Sequence, residues 1–98
     1  MIIEQALLPV VPGREEEFEA AFARAKHLIA ASSGFCGLTL SRGIERPSAY
    51  LLLVKWDTLD DHEVGFRNSP AYEEWRTALH RFYSPPATVE HYAQVATA

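Results

Sequence analysis

The stretch Ala49-Tyr50-Leu51-Leu52-Leu53-Val54-Lys55-Trp56, entered through Arg46-Pro47-Ser48 and left through Asp57-Thr58-Leu59-Asp60-Asp61, decides how this chain folds. Its Tyr-Leu-Leu-Leu-Val centre is apolar at consecutive positions, as expected of a strand in the interior of a sheet. The proline-containing turn before it makes Phe35 to Ile44 the other arm of a hairpin. After it, Thr58 is followed three residues later by Asp61, a capping pattern that opens a short helix.

Towards the N-terminus, Ile2 to Val10 is an apolar-rich stretch closed by Pro12-Gly13 and reads as a first strand. From Arg14 the period changes. Phe18, Ala21, Phe22, Ala25, Leu28 and Ile29 recur at helical spacing, with Glu16, Glu17, Glu19 and Lys26 largely on the other side. Glu15, Glu16 and Glu17 suit the positive end of that helix, and Gly34 is placed to end it in a left-handed conformation. Towards the C-terminus, Ser69 caps and Pro70 begins a second helix that runs to about Phe82. Pro85-Pro86 forbids more helix, and Thr88 to Ala96 alternates as a last strand, with Val89, Ala93 and Val95 on one face.

The order is therefore βαββαβ. It specifies an α+β, ferredoxin-like fold in which a four-stranded antiparallel sheet carries two helices on one face. The other face is bare, and apolar sheet surface of that kind calls for a cover, most simply a second copy of the chain.

Length and composition fit one domain spanning residues 1–98, with 48% hydrophobic and 22% charged residues. Nine Lys and Arg against thirteen Asp and Glu give a net charge of -4, the wrong sign for a nucleic-acid partner. The apolar runs are far shorter than the roughly 20 residues of a membrane span. The N-terminal residues lack the pattern of a signal peptide, and Cys36 is the single cysteine, so the expected location is the cytoplasm.

His27, His62, His80 and His91 show no metal-ligand spacing, and the Asp60-Asp61-His62-Glu63 cluster is explained by an acidic first helical turn, so no metal or other cofactor is expected. The segment from Trp56 to Tyr83 is richer. It gathers Trp56, Phe66, Tyr72, Trp75, Phe82 and Tyr83 with His62, Arg67, Arg76 and His80, the mixture from which an aromatic ligand pocket is made. On the second helix, Tyr72, Arg76, Leu79 and Tyr83 share one side, with His80 at its margin. The same residues also suit a plain core with polar helix edges.

Tyr50 to Trp56, the acidic helix start, Phe66-Arg67-Asn68-Ser69-Pro70-Ala71-Tyr72, Pro85-Pro86 and Val89-Glu90-His91-Tyr92 together resemble the antibiotic biosynthesis monooxygenase family, over nearly the whole chain. The early Gly34-Phe35 fits the same pattern. The resemblance implies a homodimer whose sheets pack face to face as an α/β barrel, with a pocket in each subunit between sheet and helices. It implies, for one branch of the family, oxygenation of phenolic, quinol or polyketide-like aromatics without metal or flavin, after a pocket base has deprotonated the substrate.

Carried over by position, Trp56 and Arg76 match pocket-lining residues of the aromatic-polyketide monooxygenases. His62 stands where those enzymes have a tyrosine, and Leu52 where they have an asparagine. The resemblance thus offers His62 as the base, Arg76 as the partner of the substrate anion and Trp56 as a wall, and the aromatic segment adds Phe66, Tyr72, His80 and Tyr83 as substrate-binding residues. A histidine with an unperturbed pKa near 6.5 is largely neutral at pH 7 and able to take the proton. The haem-degrading branch is disfavoured, because Ala6 or Leu7, Phe66 and Arg76 stand where its asparagine, tryptophan and histidine belong. The alternative to an enzyme is a non-catalytic dimeric module that binds a small aromatic ligand.

Overall fold

Along β1, Ile2–Pro9, buried positions alternate with more accessible ones, and that alternation assigns the two faces of the sheet. In the computed structural model, which describes residues 1–98, Glu4, Ala6 and Leu8 face the helices and Ile3, Gln5 and Leu7 face away. Strand β3, Ala49–Trp56, runs antiparallel to β1 with Ala6 opposite Leu52 and Glu4 opposite Val54. It also pairs with β2, Phe35–Arg42, through a bulge between Phe35 and Gly37. Strand β4, Thr88–Ala93, lies on the free side of β1, with His91 opposite Glu4. The order β2-β3-β1-β4, antiparallel throughout, is the ferredoxin-like sheet expected from βαββαβ, and β3 is interior as its apolar run requires.

Helices α1, Glu15–Ala30, and α2, Pro70–Leu79, cover one face. Phe18, Phe22 and Ile29 from α1 and Trp75 and Leu79 from α2 pack on Tyr50, Leu52, Val54 and Trp56 of β3 to form one core. The Phe22 and Trp75 rings meet edge to face at 5.6 Å, joining the helices. No helix is long and apolar enough to cross a membrane.

Several boundaries differ from those read in the sequence. Strand β2 stops at Arg42 and β4 at Ala93, leaving Val95 94% exposed beyond the sheet. Helix α2 ends at Leu79 and tightens into a 3₁₀ turn, His80–Phe82. The Val11 and Ser84 amides donate to Phe82 and Pro9 carbonyls, tying that turn to the end of β1.

The largest local departure is the segment Asp61–Phe66, a π-helical turn where the sequence suggested an ordinary short helix. The cap pattern forms as expected: Thr58 Oγ1 accepts from the Asp61 amide at 3.1 Å, and Asp61 Oδ2 accepts from the Thr58 amide at 3.2 Å. Beyond it the turns widen, with the Arg67 amide donating to the His62 carbonyl five residues back. Ser69 then caps α2, its Oγ accepting from the Tyr72 amide at 3.2 Å, with Pro70 in the first turn.

Gly34 does not end α1, which stops at Ala30. It turns the chain into β2 at φ +80°, and a Cβ there would stand 2.0 Å from Asp61 Oδ2. The glycine therefore makes room for the carboxylate that caps the π-helical turn. Gly34→Ala is expected to lower the melting temperature by about 5 °C or more, since a loss of about 1 kcal/mol shifts a domain of this size by roughly 4–8 °C. Thermal denaturation followed by circular dichroism checks it; an unchanged melting temperature would show that Asp61 moves aside freely.

Candidate active site

A cavity of about 250 Å³ opens between the sheet and α2. Its floor is the helix-facing side of β1 and β3, with Ala6, Leu8 and Leu52. The π-helical turn supplies one wall. Hydrogen bonding to the fifth residue back widens the turn and brings positions four and five apart onto one side, so His62, Phe66 and Arg67 all reach the cavity. Tyr72 and Trp75 from α2, and His80 and Tyr83 after it, close the opposite wall.

Five of the residues singled out in the sequence, His62, Phe66, Tyr72, His80 and Tyr83, are brought together around this space. Trp56 is not on its surface. Fully buried, it stacks behind His62 with ring centroids 5.3 Å apart, and its indole N–H donates to Glu4 Oε1 at 3.0 Å. Arg76 is displaced altogether. Its guanidinium is half exposed and pairs with Glu73 at 2.8 Å, because residue 76 falls on the outer edge of a helix whose inner face is set by Trp75 and Leu79. The arginine at the cavity is Arg67, which pairs with Glu63 at 3.4 Å through one nitrogen while its Nε is buried without a hydrogen-bond partner.

The polar corner is built on Glu4, a carboxylate 5% exposed among apolar strand residues. Its Oε1 accepts from Trp56 and lies 3.3 Å from His62 Nε2. Burial raises the Glu4 pKa above the usual carboxylate value, the Trp56 hydrogen bond and the Arg67 charge opposing that rise. His62 is pushed down to about 3, by burial first and then by Arg67 and His91. Its Nδ1 faces His91 Nε2 at 2.7 Å, so both ring nitrogens of His62 have protein partners. His80 is also lowered, chiefly by burial, and Tyr83 is raised for the same reason.

Glu4 and His91 were not recognised as site residues in the sequence, although the signal was present. Glu4 sits in phase with Ala6 and Leu8, and His91 in phase with Val89 and Ala93, so each places an ionisable group on the core face of a strand. His62, Glu63 and His91 also offer ligand atoms within 4.8 Å of one another. The 2.7 Å between the two imidazole nitrogens is a hydrogen-bond distance; two nitrogens on one tetrahedral zinc stand roughly 3.3 Å apart.

The chain is thus a ferredoxin-like α+β domain with an aromatic, acid-containing cavity between its sheet and its helices. The antibiotic biosynthesis monooxygenase family model matches residues 1–78, and this chain belongs to that family. It is 47% identical to YczJ of Bacillus subtilis (strain 168) over 95 residues, 97% of this chain and all of that one. A solved structure from the same family, from Bordetella bronchiseptica, is 41% identical and superposes with a TM-score of 0.92 over 97% of each chain. SnoaB of Streptomyces nogalater, a cofactor-independent oxygenase, shares the fold at 23% identity and a TM-score of 0.85, over 98% of this chain and 94% of SnoaB.

The two buried groups give opposite pH dependences. Between about 6.5 and about 3 the unfolded chain binds a proton that native His62 refuses, so stability falls as pH falls through that window. For Glu4, raised in the native state, the native protein binds the proton first, so stability rises as pH falls towards 4.5. The fall in melting temperature from pH 7 to pH 5 should be shallower in His62→Gln and steeper in Glu4→Gln than in the wild type. Equal slopes for the wild type and His62→Gln would show that His62 is not held neutral.

Proposed function

We propose that this protein is a cofactor-independent monooxygenase that acts, as a homodimer, on a small phenolic, quinol or polyketide-like aromatic compound. The observation that carries this reading is Glu4, a buried carboxylate lining an aromatic cavity, with Trp56 and His62 both against Oε1 and its pKa raised by burial. A carboxyl tuned upwards is a stronger base than a solvated one, and burial excludes competing water. The base is thus Glu4 rather than His62, whose nitrogens are both engaged.

In this reading Glu4 takes the substrate proton, and Arg67 Nε, buried without a partner, donates to the oxygen on which negative charge collects. The anion is electron-rich enough to react with dioxygen. For an anthrone, the ring-flanked CH₂ becomes C=O, one oxygen atom enters the product, and the other leaves as water with the two hydrogens. The carbon supplies all four electrons, so no further reductant is required. SnoaB, which shares the fold, is a cofactor-independent oxygenase, and this adds support. A cavity of about 150 Å³ admits benzene, so about 250 Å³ has space for a substituted or fused ring.

Oxygen uptake with benzohydroquinone, naphthohydroquinone and anthrone tests the reading. The wild type should consume oxygen with at least one, and Glu4→Gln should lose on the order of 10²–10⁴-fold in kcat. Arg76→Ala should leave the rate within about twofold, because its guanidinium pairs with Glu73 outside the cavity. Ligand-induced thermal stabilisation with no oxygen uptake would favour the non-catalytic binding module instead.

The homodimer reading rests on the face of the sheet that carries no helices. Ile3, Leu7, Leu53 and Tyr92 line it, with Leu7 and Tyr92 each 47% exposed. Size-exclusion chromatography at micromolar concentration should give a dimer, and Leu53→Lys should shift it to monomer with the circular dichroism spectrum retained. A wild-type monomer would overturn this reading.

A further inference from the structure

We propose that Glu4, His62, His91 and Glu63 form a proton relay that carries the proton taken from the substrate out of the cavity to the protein surface. The proposal rests on the reading of Glu4 as the base. Its geometry is a continuous file of contacts: Glu4 Oε1 to His62 Nε2 at 3.3 Å, His62 Nδ1 to His91 Nε2 at 2.7 Å, and His91 Nδ1 to Glu63 Oε1 at 3.5 Å. Both inner members are buried, with side-chain exposures of 7% at Glu4 and 4% at His62, and accessibility then rises to 19% at His91 and 37% at Glu63. The file therefore runs from a buried carboxylate to one in contact with water. Three elements supply it: β1, the π-helical turn and β4.

Each contact accommodates one proton, so the file holds three when every contact is a hydrogen bond. After Glu4 has taken the substrate proton, they sit on the Glu4 carboxyl, on His62 Nδ1 and on His91 Nδ1. A concerted shift moves the first to His62 Nε2, the second to His91 Nε2 and the third to Glu63. Three N–H or O–H bonds break and three form. Glu4 is again a carboxylate, and Glu63 releases the proton to solvent; when the second oxygen leaves as water, one proton taken up at Glu63 runs back along the same file and returns both rings to their starting tautomers. His62 gains one proton as it gives up another, so it never carries a full positive charge, which its surroundings oppose.

The charged groups facing the histidine pair are Glu4 from β1 and Glu63 and Arg67 from the π-helical turn. Arg67 is paired with Glu63 at 3.4 Å and so holds that terminal carboxylate beside His91. His91 and Glu63 are positioning residues for proton exit, since the base acts on the substrate before they do.

The test combines histidine ¹⁵N NMR of the full chain with oxygen uptake on anthrone and naphthohydroquinone. A downfield N–H proton shared between His62 and His91 is expected, and it should vanish in His91→Gln and in His91→Phe. In both variants kcat should fall on the order of tenfold with KM unchanged, less than the loss in Glu4→Gln, and small proton-carrying buffers such as imidazole should restore it. Activity lost in Glu4→Gln but kept in both His91 variants would overturn the relay and leave the base reading standing. Full activity in Glu4→Gln, or no uptake by the wild type on either compound, would overturn both. A lowered kcat that buffer does not restore, or the absence of a shared proton, would also overturn the relay.

Discussion

A carboxylate at a core position of β1 imposes the arrangement around it. Leaving an ionisable group out of water costs several kcal/mol unless hydrogen bonds replace the lost hydration. Here Glu4 finds the Trp56 indole N–H across the sheet and the His62 imidazole from the π-helical turn, both on Oε1. Those two contacts join β1, β3 and the π-helical turn at one point. Burial outweighs the Trp56 hydrogen bond, and the result is a raised pKa at a cavity wall.

The π-helical turn follows from the same requirement. An ordinary α-turn puts residues four apart nearly in line and moves the fifth round the helix, whereas the wider turn keeps both beside the first. His62, Phe66 and Arg67 thereby share a wall, with Phe66 also meeting Tyr72 edge to face at 5.4 Å. The turn is secured at its start by the reciprocal Thr58 and Asp61 hydrogen bonds, and the missing side chain at Gly34 gives Asp61 its space. An apparently remote glycine is in this way part of the support of the site.

Membership of the antibiotic biosynthesis monooxygenase family identifies the scaffold, while the chemistry depends on which groups the cavity presents. Leu52 presents no donor there, and the polar groups come instead from β1, from the π-helical turn and its end, and from α2 and the turn after it, with His91 of β4 behind His62. Phe66, Tyr72, Trp75 and Tyr83 line the remaining space with aromatic surface.

The order βαββαβ, the interior position of β3, the capping pairs at Thr58 and Ser69 and the bare sheet face were all legible in the sequence. They depend on local propensity and on short-range periodicity, which neighbouring residues determine between themselves. The aromatic wall was legible too, since its members are close together from Phe66 to Tyr83. Arg76 illustrates the limit: helical spacing put it on the side shared with Tyr72 and Tyr83, but the packing of Trp75 and Leu79 sets the rotation of α2 and turns Arg76 to water. The partnership of Glu4, Trp56, His62 and His91 was decided only by tertiary structure, because strand register brings residues 4, 56 and 91 together and the π-helical turn then adds residue 62. Register and helix rotation are settled by the core as a whole, and no short window of sequence contains them.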